Sequence, residues 1–418
     1  MPIILAGILC LALLYPVFTS PAYGQAAEDI PRVRDSTLRV ELVSEGLLFP
    51  TGMAFLDNST LLVAQKNNGR VAVVDPLTGA IGNASAIDVR VNAARERGLI
   101  GIAAASGGNG TQTTFVFLYF TESNGVDPIR NKLYRYEWNE VNQSLVNQTL
   151  ILDLPAGASS IHNGGRLEVD GQHVYAVIGD QNQNGLLQNV ENGTWIPDTS
   201  VIFRMNLDGS TPADNPFYNI TSNEGIRKYY AYGIRNSFGL ASDPLTGTFW
   251  DTENGQFGYD EVNLVEQGFN SGWKKVMGPM SRNVTASDQN STSTPPVLIS
   301  LGGSQYSDPE FSWKGSVAPT DIEFLNSTRL GEEYAYNIFV GDFNNGNLYF
   351  FTVNEARDGL VLGSDLEDLV ADNQEELSQV VFGTGFSRGI ADIETGPDGY
   401  LYVLTFGGML YRIMPAAA

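Results

Sequence analysis

His162 is one of only two histidines in the chain. It opens the turn His162-Asn163-Gly164-Gly165-Arg166-Leu167, and further on the apolar run Val174-Tyr175-Ala176-Val177-Ile178 leads into Gly179-Asp180. A glycine-flanked turn leaves an imidazole free to face a ligand, and an aspartate at the far end of the following strand can orient the ring. Imidazole is the side chain best suited to moving protons near neutral pH. The second histidine, His173, reads as a solvated turn residue. Two other segments carry groups that could work with His162. Arg235-Asn236 joins a fixed cation to an amide, and Glu253-Asn254-Gly255-Gln256-Phe257-Gly258-Tyr259-Asp260-Glu261 crowds carboxylates, amides and backbone carbonyls together. Hard oxygen donors of that kind suit Ca²⁺, although the alternating acids of a helix-loop-helix calcium loop are missing.

These residues lie far apart in the chain, so a fold must bring them together. The pattern is strand, turn, strand nearly throughout, with short runs of Tyr, Phe, Val and Thr broken by Gly, Asn, Asp and Pro. Six units line up, entering at Pro50-Thr51-Gly52, Gly98-Leu99-Ile100, Gly165-Arg166-Leu167, Asn236-Ser237-Phe238, Pro319-Thr320-Asp321 and Gly389-Ile390-Ala391. Each reads as a small antiparallel sheet that cannot cover both faces alone, so neighbours must pack face to face. The reading is an all-β fold, a six-bladed β-propeller of four-stranded antiparallel sheets. Two stacked β-sandwiches are the alternative. In a propeller the first strand of each unit lines a central channel, so residues just before or within those strands share one mouth. Glu96, His162, Arg235 and Asn236 all hold such positions. The best helix candidate is short, Asp365 to Leu377.

At 418 residues with 43% hydrophobic content, the chain can bury a large core. A formal net charge of −23 would repel nucleic acid and anionic membranes. Residues 1–24 read as a secretory signal peptide: an apolar run from Ile3 to Phe18, then Ala22-Tyr23-Gly24 as the cleavage site. No Lys or Arg precedes that run, so an uncleaved anchor at a membrane is the alternative. Residues 25–37 follow as an N-terminal extension, and 38–414 form a single domain. Cys10, the one cysteine, lies in the signal segment, so a mature chain has no thiols. Asn-x-Ser/Thr acceptors occur at Asn58, Asn83, Asn109, Asn142, Asn147, Asn192, Asn219, Asn283, Asn290 and Asn326. They fit either a glycosylated exported protein, secreted or extracytoplasmic, or polar loops.

The ordered set Arg97-Gly98-Leu99-Ile100-Gly101, His162 to Leu167 with Gly179-Asp180, Tyr232 to Leu240, Asp260-Glu261-Val262-Asn263, Gly268 to Trp273 and Gly396-Pro397-Asp398-Gly399 resembles the soluble quinoprotein glucose/aldose sugar dehydrogenases. The resemblance runs from about Leu38 to Ile413. It implies pyrroloquinoline quinone (PQQ) and Ca²⁺ as cofactors, a sugar substrate oxidised at its anomeric carbon, and an external electron acceptor. By position, His162 is the general base, Asp180 its orienting carboxylate, and Arg235 the group that stabilises charge on the quinone. Glu96, Asn236, Asn254 and Arg388 would bind the cofactor together with His162 and Arg235. The carbonyls of Gly255 and Gln256 would hold the calcium that ligates PQQ, acting as a Lewis acid. Glu261 and the carbonyl of Ser271 match a second calcium site.

The chain also departs from that pattern. Glu96 stands where the family usually has Gln, which sets a carboxylate against an anionic cofactor unless it is protonated or paired. Asn344, Gly389 and Ala391 fall where one branch carries basic residues that pair with the PQQ carboxylates. Arg388 is adjacent but out of phase on its strand. Ser281 replaces an acidic ligand of the second calcium site. Three readings therefore stay open: a PQQ- and Ca²⁺-dependent aldose dehydrogenase, a binding propeller that has lost its cofactor, and a Ca²⁺-dependent lactonase-type hydrolase. The oligomeric expectation is a monomer or homodimer.

Overall fold

The computed structural model describes residues 30–107, 113–157, 159–282 and 297–416, and the signal segment 1–24 lies outside them. The innermost strands of the six repeats contact one another in a closed ring. Pro50–Phe55 touches Leu99–Ser106, then come Leu167–Val169, Ser237–Ser242, Pro319–Phe324 and Ile390–Thr395, which returns to Pro50–Phe55. Each begins a sheet of at least four strands, so the molecule is a six-bladed propeller. Blades 1 to 5 continue outward in chain order. The outer strand of blade 6 comes from the other end of the chain: Leu38–Glu45 pairs antiparallel with Met409–Pro415. This splice closes the ring without leaving an open edge between the chain's ends.

Side chains alternate across each strand, so every blade offers an apolar layer to both neighbours. In blade 1, Leu62 and Ala64 join Val116, Leu118 and Phe120 of blade 2. Leu61 and Val63, one residue out of phase, join Leu404 and Leu410 of blade 6. The same division gives one apolar cluster at each of the six blade interfaces. The largest rings, Trp250 and Trp313, pack between blades 4 and 5.

Two edges carry additions. Arg32–Val33, inside the segment read as an N-terminal extension, pairs with Gly383 and Thr384 on the rim of blade 5. Val370–Ala371 pairs in parallel with Ser312–Trp313 of blade 4. That pairing displaces the expected helix: the α-helix spans Gln374–Val380, and only a single 3₁₀ turn forms at Ser364–Leu366. The helix starts where it does because the Asn373 side chain accepts hydrogen bonds from the Glu375 and Glu376 amides.

The mouth of the channel depends on a recurring irregularity. Pairing of the first two strands slips by one residue between Pro50 and Gly52, Leu99 and Gly101, Ser237 and Gly239, Pro319 and Asp321, and Ile390 and Asp392. The residues skipped by these bulges are Thr51, Ile100, Phe238, Thr320 and Ala391, and all five line one cavity. A bulge re-aims a side chain out of the pleat, here into the channel. Blade 3 has a shorter inner strand, and Arg166 takes the corresponding place.

Candidate active site

The cavity has a volume of about 420 Å³ and lies at the mouth formed by these bulges. His162 reaches it from the turn before blade 3. Its backbone is left-handed (φ 57°), and its amide donates to Glu96 Oε2 at 2.5 Å. Gly179 makes room behind it: a Cβ there would lie 2.7 Å from the His162 carbonyl oxygen and 2.6 Å from that of Arg235. His162 Nδ1 stands 2.6 Å from Asp180 Oδ1. A carboxylate on Nδ1 holds the proton there, so the lone pair falls on Nε2. Asp180 is itself fixed, with the Trp273 indole N–H donating to Oδ2 at 2.7 Å and the Asn182 amide to Oδ1 at 2.6 Å. Both His162 and Asp180 are buried, at 6% and 1% exposure. The contact engages one ring nitrogen of His162 and leaves Nε2 outside it.

Arg235 and Asn236 face the same space from the entry to blade 4. The Arg235 guanidinium donates through Nη1 to the Asn254 carbonyl at 2.5 Å and stacks 5.2 Å from the centre of the Trp273 ring. Burial pulls this guanidinium below its usual pKa, against the opposing pull of Asp180, Glu253, Asp260 and Glu96. Arg235 Nε and Asn236 Oδ1 are buried and have no hydrogen-bond partner among the described residues. Unpaired buried polar atoms beside a cavity fit a polar ligand that would complete them.

Glu96 is paired. Besides the His162 amide, its carboxylate accepts from the Asn236 amide at 3.4 Å, and Lys66 interacts with it electrostatically. Its charge is therefore engaged by neighbours rather than aimed unopposed at a ligand.

Asn254 and Gly255 line the cavity, and the Gly255 amide is tied to Asp260 Oδ1 at 2.8 Å. Gln256, next in the loop, is exposed and is not part of the lining. Glu261 and Ser271 lie deeper, in a buried pocket with Asp251 and Glu253. Ser271 Oγ donates to Glu253 at 2.6 Å, and Glu261 accepts from the Gly278 amide and from Asn263. Burial, reinforced by the mutual repulsion of the acids, pushes Glu253 up to about 8 and Glu261 well above the ordinary carboxylate range. Among the described residues, no group of three or more acidic, His or Cys side chains is placed to hold a metal by itself. Ser281 is exposed.

The blade 5 and 6 side of the cavity is apolar. Ala318, Thr320, Phe343, Ala391 and Phe406 line it, with the Phe343 and Phe406 rings 5.5 Å apart. Asn344 bonds the Ser316 carbonyl, and the Arg388 stem packs on Gly407; neither residue lines the cavity. His173 begins a strand rather than a turn, with Nδ1 2.9 Å from Asp170 Oδ2, and it faces away from the site.

Four lining or supporting residues were not singled out from the sequence: Lys66, Arg95, Arg166 and Trp273. Arg95 directly precedes Glu96 and obeys the same first-strand rule that selected Glu96. Lys66 directly follows the second strand of blade 1, Leu61–Gln65, on the mouth side. Arg166 forms ion pairs with Asp321 (2.9 Å) and Asp392 across the channel, tying blade 3 to blades 5 and 6 as the cavity floor.

The six-bladed ring brings a buried His-Asp pair and unpaired polar atoms together at one mouth. Residues 47–412 match the glucose/sorbosone dehydrogenase family, and the chain belongs to it. An uncharacterized protein of Synechocystis is 27% identical over 410 residues, covering 92% of this chain and 88% of its own. The aldose sugar dehydrogenase YliI of Escherichia coli is 28% identical over 271 residues, 64% of each chain. The PQQ-bound aldose sugar dehydrogenase of Streptomyces coelicolor shares the fold, with a TM-score of 0.64 and 22% identity over 92% of this chain and 99% of that one.

Proposed function

We propose that the protein oxidises an aldose at its anomeric carbon to the lactone, with PQQ as hydride acceptor, Ca²⁺ beside it and an external acceptor to reoxidise it. The observation that carries this reading is the His162–Asp180 pair opening on a cavity whose unpaired atoms, Arg235 Nε and Asn236 Oδ1, await a polar ligand. Family membership and the names of the relatives support the class of reaction.

In this reading Nε2 of His162 accepts the proton of the anomeric hydroxyl. Asp180 keeps the opposite nitrogen protonated and stabilises the imidazolium that forms. Trp273 and the Asn182 amide keep Asp180 from turning away. When bound, the quinone supplies the two-electron acceptor for the hydride that leaves the anomeric carbon. Arg235, Asn236 and Asn254 would hold it, and Arg235 would stabilise negative charge on the ligand oxygen nearest its guanidinium. The Gly255 carbonyl would help hold Ca²⁺ at that loop. Without a cluster of acidic ligands at that loop, the cation needs oxygens from the cofactor to complete its shell. Phe343 and Phe406 keep water from the reacting carbon. Residues 1–24 are proposed as the export signal, and the seven acceptor asparagines among the described residues, Asn58, Asn83, Asn142, Asn147, Asn192, Asn219 and Asn326, are all exposed, as glycosylation would require.

The test is purified protein reconstituted with PQQ and Ca²⁺ and offered a panel of aldoses with an artificial electron-accepting dye. Sugar-dependent dye reduction that disappears in His162→Ala is expected. A wild type that binds PQQ yet reduces no dye with any aldose would overturn the reading.

A further inference from the structure

PQQ carries three carboxylates, and the blade 5 and 6 wall offers them no cation. Four cationic side chains line the cavity: Lys66, Arg95, Arg166 and Arg235. Arg166 is held by Asp321 and Asp392. Arg235 is bound to the Asn254 carbonyl and stacked on Trp273. The other two are differently placed. Lys66 is buried at 9% exposure, and its Nζ donates only to neutral oxygens, Asn67 Oδ1 at 3.2 Å and the Ala93 carbonyl at 3.1 Å. Its stem passes over Gly98, where a Cβ would come within 2.8 Å of Lys66 Cγ, so the lysine reaches the mouth only because that position has no side chain. Arg95 has no hydrogen bond or ion pair among the described residues, and its backbone is left-handed at φ 51°. A non-glycine residue in that conformation is held against a preference of about 1 kcal/mol or more. The turn is fixed by the Arg97 amide bonding the Ala94 carbonyl and the Glu96 amide bonding the Ser160 carbonyl.

We propose that Lys66 and Arg95 form an anion clamp on the blade 1 and 2 side of the cavity and bind carboxylate groups of the quinone cofactor. The proposal rests on the PQQ reading and adds to it where the cofactor's charge is neutralised and, with that, which edge of it faces blades 1 and 2. Glu96 belongs to the arrangement: bonded to the His162 and Asn236 amides, it offsets part of the Lys66 charge. A guanidinium without partners at the rim and an ammonium beneath it suit a carboxylate that enters from solvent.

The experiment is equilibrium titration of PQQ, followed by quenching of tryptophan fluorescence, at several salt concentrations with Ca²⁺ constant. Lys66→Gln and Arg95→Gln should each raise Kd about 5- to 20-fold, and the double variant more. Lys66→Arg should restore most of the loss. Asn344→Ala and Arg388→Gln should bind as wild type does. The trimethyl ester of PQQ separates a charge effect from a packing effect: wild type should favour the acid over the ester strongly, and the double variant should lose most of that preference. Circular dichroism and melting curves confirm that the variants fold. If wild type binds PQQ and both single variants bind it within twofold, or if the acid-to-ester preference survives in the double variant, the clamp is wrong and the functional reading stands. If folded wild type binds no PQQ with Ca²⁺ present, the functional reading falls and the clamp with it.

Discussion

One cavity, built from six copies of the same strand pattern, has two unlike walls. Blades 1 to 4 present Lys66, Glu96, His162, Arg235 and Asn236, while blades 5 and 6 present Ala318, Phe343, Ala391 and Phe406. The contrast does not come from the bulge positions, which place Thr51, Ile100 and Phe238 on one side and Thr320 and Ala391 on the other. A repeat therefore supplies position, not chemistry. In the proposed function the polar wall moves protons and holds charge, and the apolar wall binds and excludes water. Arg166 joins the two, reaching from blade 3 to Asp321 and Asp392.

The sharpest way to break this division is to disable the polar wall. His162→Ala should lower kcat for dye reduction by on the order of 10²- to 10⁴-fold in protein that still folds and binds PQQ. A loss under tenfold would mean that the proton leaves by another route. Asp180→Asn should come next, with a loss of about 10²-fold or more, because the amide no longer enforces the Nδ1–H tautomer or stabilises the imidazolium.

Arg166→Met tests the seam between the walls. It strands Asp321 and Asp392, both fully buried, and should cost about 3–5 kcal/mol in a urea melt. An unchanged midpoint would show that the walls do not depend on the seam. Below it, burial pushes Glu168 up to about 8 and Glu323 up to about 7. Both are raised above their unfolded values, so the stability they contribute is fully present below about pH 4.5 and is lost as pH rises through 7 to 8. The melting temperature should fall across that window, and Glu168→Gln should flatten the fall. A curve no flatter in the variant would exclude Glu168 as its source. The smallest effect belongs to the apolar wall: Phe406→Ala should raise the sugar KM a few-fold with kcat nearly unchanged, as expected for uniform binding. A drop in kcat alone would give that wall a part in the chemistry.

Much of this was legible in the sequence. Strand periodicity and the six unit starts yielded the propeller, because each blade must alternate its apolar residues to cover two neighbours. His162, Asp180, Arg235 and Asn236 were singled out because their side-chain types are informative in themselves, and the structure places them together. The misses have physical causes. A bulge depends on hydrogen-bond register, which leaves no mark on residue type, so Thr51, Ile100 and Thr320 read as ordinary strand residues. The helix was placed too early because the local pattern cannot show that Val370–Ala371 is taken by blade 4. Lys66 and Arg95 were passed over because a lone Lys or Arg near a turn is usually a solvated charge. Arg388 was favoured by its nearness in sequence, and it packs on Gly407 instead.

By itself, the sequence determined the number of blades and the alternation that seals them, since both follow from local residue types and their spacing, and it named His162 and Asp180 as a candidate pair. Closure of the ring by Leu38–Glu45 and the separation of a cationic wall from an apolar one were decided by the tertiary structure. The reason is geometric. Lys66, Arg95, Arg235 and Phe406 are spread over 341 positions of the chain, and they share a cavity only once the last blade has paired with the first strand.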